Sequence, residues 1–199
     1  MLFGKGKSGG GIGFLIVGLG NPGMAYEGTR HNAGCSALAV LAAGEGVQLN
    51  KTQFKALTAT AEIDGQKALL LFPQTFMNNS GEAVQAAMAF YKLTPDRLVV
   101  LSDDIALPVG AVRVRRKGSD GGQKGLRSII AHIGTDEFPR VRIGVGAKPH
   151  PAYDLADWVL SKFRKDEQPL MDDAFAKAAA AARLIACGQI DTAMERYSH

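Results

Sequence analysis

The sequence predicts an α/β domain in which helices surround a single, mixed, mostly parallel twisted sheet. Short apolar runs of strand length, at residues 14–17 and 98–101 for example, alternate with segments whose apolar residues recur at helical spacing. The pair Asp64-Gly65 between two further strand segments is a strong hairpin signal. Because no repeat or linker interrupts this pattern, we expect one domain at residues 14–199 behind a flexible tail at residues 1–13.

Recognisable turn residues bound each apolar segment in the first half of the chain. Residues 14–17 predict a buried strand, and residues 32–43 predict a helix. Residues 54–63 and 67–72 predict the two strands of the hairpin. A further helix is expected to begin near Ser80, where a serine or asparagine can cap it.

The second half of the chain continues the same alternation of strands and helices. Its predicted elements are a buried strand at 98–101, a half-exposed strand at 111–115, a helix at 126–133, a strand at 140–145, a short helix at 154–162 and a long alanine-rich helix at 167–187.

Composition narrows the functional class only mildly. The formal net charge is +4 and the isoelectric point about 9.1, a basic excess whose distribution matters more than its size. No apolar run approaches the roughly 20 residues of a membrane span, so we expect no membrane association. Cys35 and Cys187 lie far apart, which favours a cytoplasmic chain with reduced thiols.

The turn after the first predicted strand, GLGNPG at residues 18–23, fits the G-x-G-x-x-G pattern of dinucleotide sites. That fingerprint also needs an immediate helix and a second strand ending in Asp or Glu about 20 residues later. Here residues 22–30 delay the helix, and helical residues 37–43 occupy the place of the second strand. The glycines are therefore more typical of a tight turn than of a dinucleotide-binding site. A nucleotide-dependent oxidoreductase is the less favoured alternative, and no cofactor is expected.

Polar side chains follow the ends of three apolar strands. Asn21 and His31 follow the first strand, Asn78 follows the hairpin, and Asp103 follows the strand at 98–101. Parallel neighbouring strands would bring these ends together. A carboxylate can fix the tautomer of an imidazole and raise its basicity, while asparagine amides can hold a carbonyl or an oxyanion. This combination points to hydrolysis by an activated water molecule.

Other catalytic chemistries have weaker support in the sequence. No G-x-S-x-G nucleophile elbow occurs, and Cys35 is more typical of a small buried thiol in an apolar helix. The histidines are scattered and no H-E-x-x-H motif is present, so we expect no metal site.

Basic residues concentrate in the second half of the chain. Those beside the glycine-rich loop at residues 117–125 alternate with core valines, so several positive groups would project from one side of the sheet. They are Arg113, Arg115, Arg116 and Lys117, followed by Lys124, Arg127, Arg140, Arg142 and Lys148. This arrangement suits contacts with a phosphate backbone and favours a nucleic-acid partner over a merely solvated face.

Several motifs, taken together and in order, resemble those of the bacterial peptidyl-tRNA hydrolase family. They are GLGNPG (18–23), TRHNAG (29–34), TFMNNSG (75–81), SDDIALPVG (102–110), GGQKGLRSI (121–129) and VRIGVG (141–146). The resemblance runs from about residue 14 to residue 163, which is most of the chain. It implies a monomeric, metal-free α/β enzyme that hydrolyses the ester between a peptide and the 3′ ribose of tRNA.

The resemblance also implies a role for each polar residue at the strand ends. His31 matches the catalytic base, and Asp103 matches the carboxylate that orients it. Asn78 is expected to support the developing oxyanion or the substrate carbonyl. Asn21 is expected to hold the peptide end or His31 itself.

Five further residues match positions that the family uses around its substrate or lie beside them. Tyr26 and Met77 are expected to line the cleft near the reacting centre. Arg115 and Arg142 match a clamp for a tRNA phosphate. Lys124 stands where the family has an asparagine in the cleft, and its ammonium group could hold a carbonyl, an oxyanion or a phosphate.

The chain departs from the family pattern at the loop before the predicted helix at 126–133. The usual loop reads Gly-Gly-His-Asn-Gly, whereas this chain has Gln123 and Lys124 at the two middle positions. Ala106 likewise replaces a common aspartate. The alternative function is a non-catalytic RNA-binding relative of the same fold. Retention of His31, Asp103, Asn21 and Asn78 together favours the enzyme.

Overall fold

The computed structural model describes residues 11–198 and has a seven-stranded sheet with helices against both faces. The strands are β1 (Phe14–Gly18), β2 (Lys51–Gln53), β3 (Ala56–Ile63), β4 (Gln66–Pro73), β5 (Leu98–Asp104), β6 (Val112–Arg115) and β7 (Arg140–Gly144). The helices are α1 (Ala33–Gly44), α2 (Ser80–Tyr91), α3 (Lys124–Ile133), α4 (Leu155–Leu160), α5 (Gln168–Ala186) and α6 (Ile190–Tyr197).

Residues 1–10 of the predicted tail lie outside the described part of the chain. The tail's last residue, Gly13, already donates its backbone N–H to the carbonyl of Lys67 at 2.9 Å. Among residues 11–198, no helix combines the length and the apolar character needed to cross a bilayer.

The strand order is β2-β3-β4-β1-β5-β7-β6, and the sheet is mixed as predicted. Its centre is parallel, because β1 pairs in parallel with β4 and β5, and β5 pairs in parallel with β7. Both edges are antiparallel, and they extend beyond the single expected hairpin because β2 and β6 add a second and a third antiparallel pair. The carboxyl ends of β4, β1 and β5 therefore lie side by side at the same end of the sheet.

The core has two layers, one on each face of the sheet, and β1 is buried between them. Its alternate residues point to opposite sides, as the pleat requires. Phe14 and Ile16 belong to an apolar cluster that includes α1 and α5, whereas Leu15 and Val17 belong to one that includes α2 and α3. A strand covered on both faces is expected to read as a continuous apolar run, which is the pattern that revealed β1.

Some element boundaries differ from the sequence prediction for identifiable reasons. The predicted strand at 54–63 begins at Ala56, because Phe54 and Lys55 adopt left-handed backbone angles (φ 54° and 55°) and form a tight turn after β2. The predicted strand at 98–101 continues through Asp104 because it goes on pairing with β7. Neither β2 nor α6 was predicted.

Gly34 lets α1 approach the sheet at the edge where the parallel strands end. A Cβ atom at this position would lie 2.2 Å from the Leu101 carbonyl oxygen, which no side chain tolerates. The same contact region has a hydrogen bond from the Cys35 N–H to the Leu19 carbonyl, 2.9 Å. The start of α1, and His31 just before it, are thus held close to β5.

Candidate active site

A cleft of about 340 Å³ opens where β4, β1 and β5 end. Most of the site residues predicted from the sequence line it: Asn21, His31, Met77, Asn78, Asp103, Lys124 and Arg142. Apolar side chains, chiefly from α4, form an apolar wall of the cleft: Phe76, Ile105, Leu155, Ala156, Val159 and Leu160. The cleft therefore combines polar, reactive side chains with an apolar wall.

His31 and Asp103 form a direct pair in this cleft. The Nδ1 atom of His31 lies 2.9 Å from Oδ2 of Asp103, and both side chains are largely buried. An ionised carboxylate only accepts hydrogen bonds, so Nδ1 carries the proton and Nε2 is the basic nitrogen of the neutral ring. Among the described residues Nε2 has no hydrogen-bond partner, and His31 retains 9% exposure. A water molecule in the cleft can therefore reach it.

Asp103 gains its fixed position from β5. It lies inside the strand, paired with Ile143 of β7, rather than after the strand as the sequence predicted. Its second oxygen, Oδ1, accepts a 2.9 Å hydrogen bond from Nε2 of Gln123. Gln123 was assigned no role from the sequence, although a polar residue at the cap position before α3 was a usable signal.

Asn21 is anchored to Asn32 and Met77 rather than to His31, which was one of the two roles expected for it. Its backbone N–H donates to Oδ1 of Asn32 at 2.9 Å, and Nδ2 of Asn32 donates to its carbonyl at 3.0 Å. Its side-chain Oδ1 accepts the backbone N–H of Met77 at 2.8 Å. No hydrogen bond joins Asn21 to His31 among the described residues, so the amide group of Asn21 that remains, Nδ2, is available to a ligand.

Asn78 and Lys124 occupy the exposed rim of the cleft. Asn78 lies in the 3-10 turn Met77–Asn79 that precedes α2, and Lys124 is the first residue of α3. Within residues 11–198 neither side chain has a hydrogen-bond or ion-pair partner. Both polar groups are thus free to meet a substrate.

Tyr26 does not line the cleft, contrary to expectation. The 3-10 turn Met24–Tyr26 leaves it half-buried, and its ring packs edge-on against Phe76 with 6.2 Å between ring centroids. Phe76, which the sequence analysis did not single out, is the aromatic side chain that borders the cleft.

The basic residues of β6 and β7 share one face of the sheet but differ in availability. Arg142 lines the cleft and pairs with Asp104 at 2.8 Å. Arg115 lies outside the cleft, opposite Arg140, and donates to the Val114 carbonyl at 2.9 Å. Arg140 is 1% exposed, so burial lowers the pKa of its guanidinium to about 10.

Arg140 holds the connections on either side of α3 rather than presenting its charge to a ligand. Its guanidinium donates to the backbone carbonyls of Asp136 and Phe138, and also to that of Gly118. Of the two arginines predicted to clamp a phosphate, Arg142 reaches the cleft. Arg115 lies beyond the cleft and extends the positive surface.

Arg30, like Gln123 and Phe76, was assigned no role from the sequence. Its buried guanidinium pairs with Glu167 at 2.7 Å, donates to the Val145 carbonyl at 2.8 Å and stacks on Trp158 at 3.9 Å. Because Trp158 belongs to α4, this residue joins the backbone of His31 to the apolar wall of the cleft.

The glycine-rich turn at residues 18–23 packs against α1. A Cβ atom on Gly18 would lie 2.6 Å from Cβ of Leu38, and one on Gly20 would lie 2.7 Å from Sγ of Cys35. The helix begins only at Ala33, well after the turn. These contacts favour the interpretation of residues 18–23 as a tight turn and not as a dinucleotide-binding loop.

Cys35 is poorly suited to act as a nucleophile. Burial raises the pKa of its thiol to about 12, and the thiol donates to the Asn32 carbonyl. Within residues 11–198, no three His, Cys, Asp or Glu side chains gather in a group that could hold a metal ion.

Comparison with known proteins gives consistent matches along nearly the whole chain. The family model for peptidyl-tRNA hydrolase matches residues 15–199. The peptidyl-tRNA hydrolase of Alkaliphilus metalliredigens is 47% identical over 93% of this chain and 99% of its own length. That of Lachnospira eligens is 45% identical, also over 93% of this chain and 99% of its own length.

Solved structures agree with the sequence comparisons. The crystal structure of peptidyl-tRNA hydrolase from Acinetobacter baumannii superposes with a TM-score of 0.87 at 36% identity, covering 96% of this chain and 99% of that one. The resemblance inferred from the motifs is thus confirmed at the level of sequence and of fold, and the chain belongs to the peptidyl-tRNA hydrolase family.

Proposed function

We propose that this chain hydrolyses the ester bond between a peptide and the 3′ ribose of tRNA, releasing both. Membership of the peptidyl-tRNA hydrolase family supports the reaction. The single observation that carries the mechanism is the 2.9 Å contact between His31 and Asp103 beside an open cleft. It supplies a base of fixed tautomer where a water molecule and an ester can meet.

The reaction begins when Nε2 of neutral His31 takes a proton from water as the water oxygen attacks the ester carbonyl carbon. A tetrahedral intermediate forms, and Asp103 stabilises the resulting imidazolium through Nδ1. Collapse of the intermediate breaks the bond to the ribose oxygen, which takes the proton from Nε2. The products are a peptide carboxylic acid and tRNA with a free ribose hydroxyl, and His31 returns to its neutral form.

The polar groups at the rim stabilise charge that develops on the carbonyl oxygen. The Asn78 amide and the Lys124 ammonium group have no other partner among the described residues, so they can donate to it. Nδ2 of Asn21 is held at the same edge by its anchored backbone and can donate to the peptide. Met77 contributes its backbone N–H to this anchor as well as lining the cleft.

The two halves of the substrate occupy different surfaces in this proposal. The apolar wall of α4 suits the peptide side chains, whereas Arg142, with Arg115 beyond it, suits a phosphate of the tRNA. One chain supplies all of these groups, which supports a monomer. A substrate produced in translation supports a cytoplasmic location.

The decisive experiment measures hydrolysis of an N-acetyl-aminoacyl-tRNA by the wild type and by His31→Ala. Loss of a general base should lower kcat by about 10²- to 10⁴-fold. His150→Ala is the matched control, because His150 is exposed and outside the cleft. A folded His31→Ala variant that cleaves at the wild-type rate would refute the mechanism. A wild type that binds tRNA without cleaving it would support the RNA-binding alternative.

A further inference from the structure

We propose that Gln123 is the positioning residue that holds Asp103 in line with His31, a role that rests on the proposed hydrolysis. Gln123 is 8% exposed, and its Nε2 donates to Oδ1 of Asp103 at 2.9 Å. The other carboxylate oxygen, Oδ2, meets Nδ1 of His31 at the same distance. The carboxylate of Asp103 is therefore held by one donor on each oxygen.

The orientation of the Gln123 amide is fixed by the helix that follows it. Its Oε1 accepts the backbone N–H of Leu126 at 2.7 Å and so caps α3. Because Oε1 must face this N–H, Nε2 must face Asp103. The remaining Nε2 proton points to Sδ of Met77 at 3.2 Å. With both ends of the amide engaged by the protein, Gln123 acts through Asp103 rather than on the substrate.

A neutral donor suits this position because it fixes a carboxylate without adding a charge. A carboxylate with one free oxygen can rotate about its terminal bond, which weakens its alignment with the imidazole. A cationic donor would instead compete with the imidazolium for the negative charge of Asp103. Gln123 avoids both effects: it fixes the carboxylate and leaves the negative charge of Asp103 to His31.

The other charged and titratable groups around His31 are already engaged or lie at the rim. From β5 and β7, Asp104 and Arg142 pair with one another. From α1, Cys35 keeps its proton because burial, together with the charge of Asp103, raises its pKa. Asp120 accepts from the Gly122 N–H, and Lys124 is exposed. The helix α4 presents only apolar side chains to the cleft: Leu155, Ala156, Val159 and Leu160.

Two substitutions separate positioning from packing. Gln123→Met keeps the length of the side chain but removes the donor, and should lower kcat by about 10- to 100-fold with little change in KM, the effect of one missing hydrogen bond to a charged group. Gln123→Glu keeps the shape and the oxygen that caps α3, but it replaces the Nε2 donor by a second carboxylate against Asp103. The added negative charge favours the imidazolium, so the acid limb of the kcat profile should move to higher pH by about one unit.

Direct observation of His31 keeps the test independent of turnover. The titration of its ring protons by NMR, assigned with His31→Ala, should move upward in Gln123→Glu by the same amount as the kinetic limb. Gln85→Glu is the matched control, since among residues 11–198 Gln85 bonds only to the His132 carbonyl, on an exposed surface. That variant should leave both curves in place.

The outcomes distinguish the positioning role from the proposed function. If Gln123→Glu is folded and neither the NMR titration nor the acid limb moves, the positioning role is wrong, even if Gln123→Met has lost activity through poor folding. If the wild type fails to hydrolyse the substrate but Gln123→Glu still moves the His31 titration, the proposed function is wrong and the positioning role stands.

Discussion

Asn32 holds the backbone of Asn21 from both sides. Its Oδ1 accepts the Asn21 N–H at 2.9 Å, and its Nδ2 donates to the Asn21 carbonyl at 3.0 Å. The two bonds pair the backbone N–H and carbonyl of Asn21 as an adjacent strand would, although Asn21 and Asn32 are eleven positions apart. The position of Asn21 in the cleft therefore depends on the side chain of Asn32, which does not itself line the cleft.

Replacing Asn32 by alanine should impair both stability and activity. The substitution leaves a buried N–H and a buried carbonyl of Asn21 unpaired, which should lower the free energy of unfolding by about 1–3 kcal/mol. Displacement of Asn21 should also lower kcat/KM by up to about 10²-fold. Urea denaturation and steady-state hydrolysis measure the two effects.

The matched control for this prediction is Asn50→Ala. Within the described part of the chain, the Asn50 side chain makes one long hydrogen bond, 3.5 Å to Gln48 on the surface. We expect its free energy of unfolding to change by less than about 0.5 kcal/mol and its activity to stay at the wild-type level. An Asn32→Ala variant as stable and active as Asn50→Ala would show that the two hydrogen bonds contribute nothing.

Removing Arg142 and Arg115 together should weaken tRNA binding and flatten its salt dependence. For each phosphate that is no longer bound, the slope of log K against log salt should fall by about 1. Arg142→Ala alone should weaken binding more than Arg115→Ala alone, because Arg142 borders the cleft whereas Arg115 does not. Binding of a tRNA that carries its peptide through a non-hydrolysable amide, followed at several salt concentrations, measures the slopes.

Arg97→Ala provides the control for the basic face. Arg97 carries the same charge but lies in the 3-10 turn Pro95–Arg97, directly before β5 and so at the opposite end of that strand from the cleft. Arg97→Ala lowers the net charge by the same amount as Arg115→Ala or Arg142→Ala. It should nevertheless leave the slope of log K against log salt unchanged. Equal slopes for the wild type and the double variant would exclude a phosphate clamp at Arg115 and Arg142.

The sequence predicted the location of the site because that location follows from local patterns. Apolar runs revealed β1 and β5, and their parallel pairing brings His31 and Asp103 to one edge. The same logic placed Asn78 after β4. Strand ends are fixed by topology, so the residues that follow them could be grouped without knowledge of any side-chain conformation.

Other contacts could not be predicted because they join residues through a particular packing arrangement. The bond from Gln123 to Asp103 depends on how the first turn of α3 is rotated, and the ion pair between Arg30 and Glu167 joins residues 137 positions apart. The turn at Phe54-Lys55 was missed because left-handed turns favour Asn-Gly, a preference that these residues override.

The ion pair between Arg30 and Glu167 should make stability depend on pH in the acidic range. Burial alone would raise the pKa of the Glu167 carboxyl, but the backbone N–H of Arg164 and the guanidinium of Arg30 outweigh this effect and hold the pKa below its ordinary value. A carboxyl group whose pKa is lowered by folding stabilises the protein above its unfolded value and loses that contribution as pH falls through the folded one.

Glu167→Gln should therefore be less stable than the wild type at pH 7, and the difference should shrink as pH falls below about 4.5. Gln can still accept from Arg30 but leaves the buried guanidinium without a counter-charge, so we expect a loss of about 3 kcal/mol at pH 7. Urea unfolding followed by the fluorescence of Trp158, which stacks on Arg30, measures this at each pH. Glu62→Gln is the control, because Glu62 is exposed and has no ion pair among the described residues. A gap between Glu167→Gln and the wild type that is the same at pH 7 and pH 3 would mean that the ionised carboxylate does not stabilise the fold.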